Sequence, residues 1–237
     1  MSYQRRMRLL RGGHMRIYDV PLVFFDLDDS LINKDAHTLW IRWRARRERW
    51  AVVEAIWAYL SLYRAYKQGR ITHGRLSAYY RARTRGMTVS DYARQVACFY
   101  QERGQLHIYR QAASLLFAYR RQGTRMVLIT GADEVVANEY ARALGMDDVI
   151  SNRLLVQGNR ITGLTTPLCY GQGKVDLARQ YVSESGMDLH QAAFYSDSHS
   201  DLPLLEAVGQ PVVLNPDTLL VQAANDRNWP VLDWRGA

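Results

Sequence analysis

The apolar run Leu22-Val23-Phe24-Phe25 ends abruptly in Asp26-Leu27-Asp28-Asp29-Ser30. A short, uninterrupted apolar stretch closed by polar residues reads as a strand buried on both faces, the kind found inside a parallel sheet. Parallel strands need long crossover connections, usually helices, so this feature points the chain toward an α/β architecture. It also sets two carboxylates two residues apart where such sheets bind ligands, beyond the carboxyl ends of the strands. Charges at that edge are costly to desolvate unless a cation or a reaction employs them.

The rest of the chain repeats the pattern. Further strands are predicted over 126–129, 149–150, 192–195 and 211–214, and a hairpin over 154–156 and 160–162 turns at Gly158-Asn159. Helices are predicted over 111–122, 134–144, 174–183, 202–208 and 218–227. Gly123 and Gly145 close the first two, because a left-handed residue ends a helix most easily as glycine. Between residues 35 and 110 the alternation stops, and the texture becomes helical and rich in Trp, Tyr and Arg. That segment reads as an insertion. Trp43, Trp50 and Trp57 recur every seven residues there, which predicts one shared helix face. Residues 1–20 read as a basic, loosely held lead-in. The expectation is a Rossmann-like parallel sheet with helices on both faces, built from 21–34 and 111–237, with 35–110 as an inserted helical cap.

A chain of 237 residues with 48% hydrophobic content can bury a full core. Two cysteines, Cys98 and Cys169, make no disulfide framework, so a reducing cytoplasm is expected. The early arginines precede no apolar core of signal-peptide length, and no stretch is apolar for the length of a bilayer crossing. A soluble, at most peripheral, protein is expected. The net charge of +8, mostly arginine, reads as a solvated basic face or as affinity for an anionic partner: phosphate esters, nucleic acid or acidic lipid. No nucleic-acid recognition motif accompanies it.

Three strand ends carry polar clusters: Asp26 and Asp28, Thr130-Gly131, and Asp197 with Asp201. Gathered at one sheet edge, four acids repel one another unless a divalent cation lies among them. Oxygen donors without a His or Cys cluster favour Mg²⁺ over zinc. Magnesium beside a lysine is the equipment of phosphoryl transfer, and Lys174 opens a helix just before the Asp197 strand. Thr130 offers a hydroxyl, and Gly131 lets a backbone N–H approach an oxyanion.

In these motifs the chain resembles the haloacid-dehalogenase-like phosphohydrolases. Asp26-Leu27-Asp28-Asp29-Ser30 matches the family's first motif, Thr130 the second, Lys174 the third, and Asp197 with Asp201 the fourth. The helical insert between the first and second motifs is similar to the phosphoserine-phosphatase-like branch. The run from Tyr195 through Leu205, with Thr166-Pro167-Leu168-Cys169-Tyr170 before Gly173-Lys174, looks closest to its histidinol-phosphatase-like relatives. The resemblance implies an aspartyl-phosphate on Asp26 and acid/base work by Asp28. It implies Mg²⁺ bound by Asp26, Asp197 and the backbone carbonyl of Asp28, and phosphate oxygens held by Thr130, Gly131 and Lys174. Ser30 and Asp201 have supporting roles, Asp201 orienting Lys174 or a metal-bound water. Histidinol phosphate is the first expected substrate. The alternatives are a lipid phosphate such as phosphatidylglycerophosphate, or a phosphate-binding protein that keeps the fold without catalysis.

Departures are visible too. Asp29 stands where the family commonly has Gly, sometimes His, and Ser200 where Asn is frequent. Asp35 falls where phosphoserine phosphatases carry a Glu for the substrate amine, but no matching arginine is placed; Tyr80 and Arg81 are nearest. His199 reads as a loop residue, and His37, His73 and His107 as structural. For the tryptophans two readings stand: the packed face of a cap helix, or, with Arg42, Arg44, Arg46, Arg47 and Arg49, a basic helix seated at an anionic membrane. The same arginines also suit an anionic substrate. The oligomeric state is not legible.

Overall fold

The computed structural model describes residues 7–9, 16–48, 53–67 and 71–236. A short antiparallel pair, β1 (Met7–Leu9) and β2 (Arg16–Tyr18), precedes the buried strand β3 (Leu22–Phe25). Four helices follow: α1 (Ala36–Ala45), α2 (Val53–Lys67), α3 (His73–Arg83) and α4 (Val89–Glu102). The chain then alternates through α5 (Arg110–Gln122), β4 (Arg125–Asp133), α6 (Glu134–Leu144) and β5 (Asp148–Asn152). A hairpin of β6 (Leu154–Gln157) and β7 (Arg160–Leu164) leads into α7 (Gln172–Glu184) and β8 (Ala192–Ser196). The last elements are α8 (Leu202–Ala207), β9 (Gln210–Leu214), α9 (Thr218–Arg227) and β10 (Val231–Leu232).

Six strands form one parallel sheet in the order β10-β9-β8-β3-β4-β5. Chain order runs outward from β3 in both directions, so the strand order reverses there and a crevice opens at the carboxyl ends. Phe25 lies opposite Leu128 on β4 and Tyr195 on β8, which brings the three polar strand ends to one level. Alternation along the strands builds two cores. Val23, Phe25, Leu128 and Tyr195 pack with α5, α6 and the inserted helices; Phe24, Val127, Ile129 and Phe194 pack with α7, α8 and α9.

Two expectations need correction. Ile17, Tyr18 and Val20 are buried in the first core, and the Tyr18 N–H donates to the Tyr119 hydroxyl at 3.2 Å. The end of the lead-in is therefore packed, not loose. The seven-residue tryptophan spacing does not mark one helix face either, because α1 ends at Ala45 with Arg46 and Arg47 in a turn, before α2 begins at Val53. Trp43 is buried, donates its indole N–H to Glu102 at 2.9 Å, and carries the Arg47 guanidinium 4.2 Å above its ring. Trp57 is exposed. Trp50 and Arg49 lie outside the described residues. β4 runs on past Ile129 to Asp133, whose carboxylate then caps α6 by accepting from Val135 and Val136.

Candidate active site

Asp26 leaves β3 with its backbone N–H on the Tyr195 carbonyl, 2.9 Å away, so the sheet ladder itself fixes the residue. The next turn is tight, and Asp29 takes a left-handed conformation with φ +54°. That explains why glycine suits this position; aspartate is among the few other residues that adopt it readily. Asn215, at the end of β9, clamps the turn by donating to the Asp29 carbonyl at 3.0 Å, while its own carbonyl accepts the Trp234 N–H at 2.6 Å.

The expected residues converge. The buried Lys174 ammonium, at the first turn of α7, lies 2.6 Å from Asp26 Oδ1 and 2.7 Å from Asp201 Oδ2. Ser196 donates to the same Asp201 oxygen at 2.7 Å, and Ser30 donates to Asp197 at 3.2 Å. One oxygen of Asp28 accepts the Ala36 N–H at 2.7 Å, at the start of α1. Thr130 is buried with its hydroxyl oxygen taking the Ala132 N–H at 3.1 Å, and it does not line the cavity; Gly131 does. Ser200 bonds with Ser198 and also reaches the cavity wall.

The cavity above these groups measures about 290 Å³. Its far wall comes from the inserted helices: Tyr59, Leu62, Tyr63, Leu76 and Tyr79, with Asp35 beside them. His37, expected to be structural, lines it as well. Arg83 donates to His37 Nδ1, which leaves the ring proton on Nε2, 3.2 Å from the Tyr80 hydroxyl. Burial, then the Arg83 charge, holds His37 well below its ordinary pKa, so the imidazole is neutral. His73 and His107 are bonded to the Leu164 carbonyl and to Asn33, away from the cavity.

Like Arg44, Arg83 is buried among the inserted helices. It bonds the Tyr92 hydroxyl, lies 3.6 Å from Asp133, and sits 4.4 Å over the Trp40 ring. It ties α3 to the end of β4 and does not face the cavity; nor do Arg81 or Tyr80. Arg42, Arg44, Arg46 and Arg47 do not line it either, so none of the tryptophan-flanking arginines described serves as a substrate ligand there.

Electrostatically the pocket carries an excess of acid. Burial, opposed by Lys174, pushes the Asp26 carboxyl up to about 6. Asp28 is held well above its ordinary value by burial and then by Asp35 and Asp26; Asp197 likewise by burial and then by Asp26, Asp201 and Asp29. Burial works against the charge on Lys174, yet Asp201 and Asp26 outweigh it and keep the ammonium protonated. Among the described residues no three His, Cys, Asp or Glu side chains form a self-sufficient metal cage. Asp26 and Asp197 offer two carboxylates whose mutual repulsion a hard cation relieves. All donors are oxygen, so the set fits Mg²⁺ completed by substrate and water.

Sequence reasoning missed Asn152, whose amide donates to the Gly131 carbonyl at 2.6 Å and accepts the Cys169 N–H at 2.8 Å. Its place at the end of β5, beside the Thr130 strand, was the available signal. The aromatic wall had none, since tyrosines at helical spacing look the same in a core.

The model of the haloacid dehalogenase-like hydrolases matches residues 23–206. A probable phosphatase of Mycobacterium tuberculosis is 37% identical over 127 residues, 54% of this chain and 44% of that protein. The chain thus spans less than half the length of that relative. A protein named histidinol-phosphatase from Neisseria meningitidis is 28% identical over 220 residues, 90% of this chain and 99% of its own. A crystal structure from Bordetella pertussis, of unknown function, superposes with a TM-score of 0.77 at 27% identity, covering 90% of this chain and 98% of that one. With the four motifs meeting at the switch point of the sheet, the chain belongs to the haloacid dehalogenase-like hydrolases.

Proposed function

We propose that the protein is a Mg²⁺-dependent phosphatase that hydrolyses a phosphomonoester through an aspartyl-phosphate on Asp26. The observation that carries this reading is the Lys174 ammonium held between Asp26 and Asp201 at the carboxyl edge of β3 and β8. Asp26 attacks phosphorus, forming its O–P bond as the ester P–O bond breaks. Asp28, which burial and its acidic neighbours keep protonated, gives its proton to the departing alkoxide. Water then attacks the aspartyl-phosphate, Asp28 takes back a proton, and phosphate leaves with Asp26 restored. Lys174 and the Gly131 N–H hold the phosphoryl oxygens, while Thr130, buried behind Gly131 and bonded to the Ala132 N–H, shapes that turn. Asp26, Asp197 and the Asp28 carbonyl would hold Mg²⁺, which would offset charge on the transferring group. The inserted helices act as the cap over this chemistry.

For the substrate, histidinol phosphate fits best. The cavity suits a small molecule, and apart from Lys174 no arginine or lysine lines it among the described residues. A leaving group bearing a carboxylate would lack a partner there. A protonated amine or imidazole would meet Asp35 and the rings of Tyr59 and Tyr79, which attract cations through their π faces. A reducing, cytoplasmic setting fits the two free cysteines. The test is phosphate release from p-nitrophenyl phosphate and histidinol phosphate, with and without Mg²⁺, beside Asp26→Asn. Turnover that needs Mg²⁺ and vanishes in the variant is expected. Substantial activity of Asp26→Asn would remove Asp26 as nucleophile.

A further inference from the structure

The cavity wall and the outer surface share one helix. On α2, Tyr59, Leu62 and Tyr63 face the cavity. Val53, Ile56, Trp57 and Leu60 occupy another side at spacings of three, one and three residues, which is a single face of an α-helix. These four side chains are 38–67% exposed, Trp57 the most. Arg64 continues the same row one turn beyond Leu60 and is exposed. The helix packs principally on α3, so nothing among the described residues covers this row. Isolated exposed apolar residues are ordinary; a contiguous row headed by a tryptophan is not.

Charge identifies what fits the row. Between residues 36 and 90 the sequence holds twelve Arg and Lys against two Glu, a net +10, more than the +8 of the whole chain. Arg42 and Arg46 are exposed on and just past α1, and Arg42 is near enough to Tyr59 to act on its hydroxyl. A second copy of the chain would bring the same positive segment against itself. Nucleic acid would leave the aliphatic row of Val53, Ile56 and Leu60 without a partner. A bilayer carrying anionic headgroups satisfies both halves: acyl boundary for the row, phosphates for the arginines, and an interfacial depth that suits tryptophan. No described helix is long and apolar enough to cross a membrane, so the contact is peripheral.

We propose that the outer face of α2 seats the protein on an anionic lipid surface, through Trp57 and Leu60 with Arg64 in the same row. The seat is independent of which ester is hydrolysed.

Vesicle sedimentation tests it, with liposomes of phosphatidylcholine alone or containing about one third phosphatidylglycerol. The full chain should pellet with the anionic vesicles, stay in solution with the neutral ones, and be released by high salt. The double variant Trp57→Ala/Leu60→Ser, which replaces no cavity-lining residue, should partition about tenfold less or weaker still. A thermal melt matching the unsubstituted chain shows that it is folded. Arg64→Glu, tested alone, supplies a second route to the same loss. Failure to pellet with anionic vesicles overturns the proposal. So does equal binding to neutral vesicles, or undiminished binding by both variants. A concentration-dependent dimer that the double variant abolishes would make a second copy the occupant and overturn it as well.

Discussion

Replacing Asp26 by Asn should make the metal-free protein more stable while destroying its turnover. The Asp26 carboxyl, ordinarily near 3.8, titrates at about 6 in the fold because burial penalises its charge more than Lys174 rewards it. The folded chain therefore keeps a proton that the unfolded chain has already released across that interval. Stability from this group is complete below 3.8 and is lost as pH rises through about 6. The shift corresponds to about 3 kcal/mol at neutral pH. Asparagine keeps the shape without the charge and escapes the loss. In a protein of this size the difference amounts to roughly 6–12 °C in melting temperature. Calorimetry in EDTA, from pH 4 to pH 8, measures it: the two proteins should melt nearly together at pH 4, separate progressively as pH rises from there, and show the full gap above about pH 6. Adding Mg²⁺ should close the gap by raising only the unsubstituted protein. A variant that melts within a degree of the parent at pH 7.5, or below it, would refute the reasoning.

Asp28→Asn should cut kcat about 10²- to 10⁴-fold for alkyl phosphates but far less for p-nitrophenyl phosphate, whose leaving group needs no proton; parallel losses on both would deny Asp28 its acid role. Arg83→Met leaves Asp133 and Tyr92 buried against an apolar side chain and should cost about 3–5 kcal/mol in urea unfolding. Gly173→Ala would put a Cβ 2.0 Å from the Leu168 carbonyl oxygen, so the start of α7 must shift. Lys174 moves with it, and kcat for phosphate release should fall by about tenfold or more, since small misplacements are costly in catalysis.

What the chain discloses in advance depends on how local the cause is. The β3 strand and its acids are legible because a strand buried on both faces must be apolar throughout, and because the polar residues closing it stand in sequence beside it. The helix ends at Gly123 and Gly145 are equally local, as both glycines adopt left-handed conformations. Trp43 and Trp57 mislead because a seven-residue period in sequence does not show whether one helix or two carry it. The second strand is predicted to stop at Ile129, yet pairing with β5 carries it on to Asp133, a long-range effect that composition does not encode. Arg83 sits in a run of arginines that resembles a solvated face. Only the fold places Trp40, Tyr92 and Asp133 around it. The tyrosines lining the cavity are hidden for the same reason: whether a helical aromatic faces a core or a vacant space is decided by its neighbours.

The position of β3 at the centre of the sheet has a consequence for synthesis. A nascent chain that has reached the β6–β7 hairpin already contains residues 26 and 130, but Lys174, Asp197 and Asp201 have not been made. The edge of β3 that faces away from β4 has its sheet partner only once residues 192–196 of β8 exist. Under the proposed mechanism, a fragment that ends before Lys174 lacks the ammonium that bonds Asp26 and is expected to be inactive.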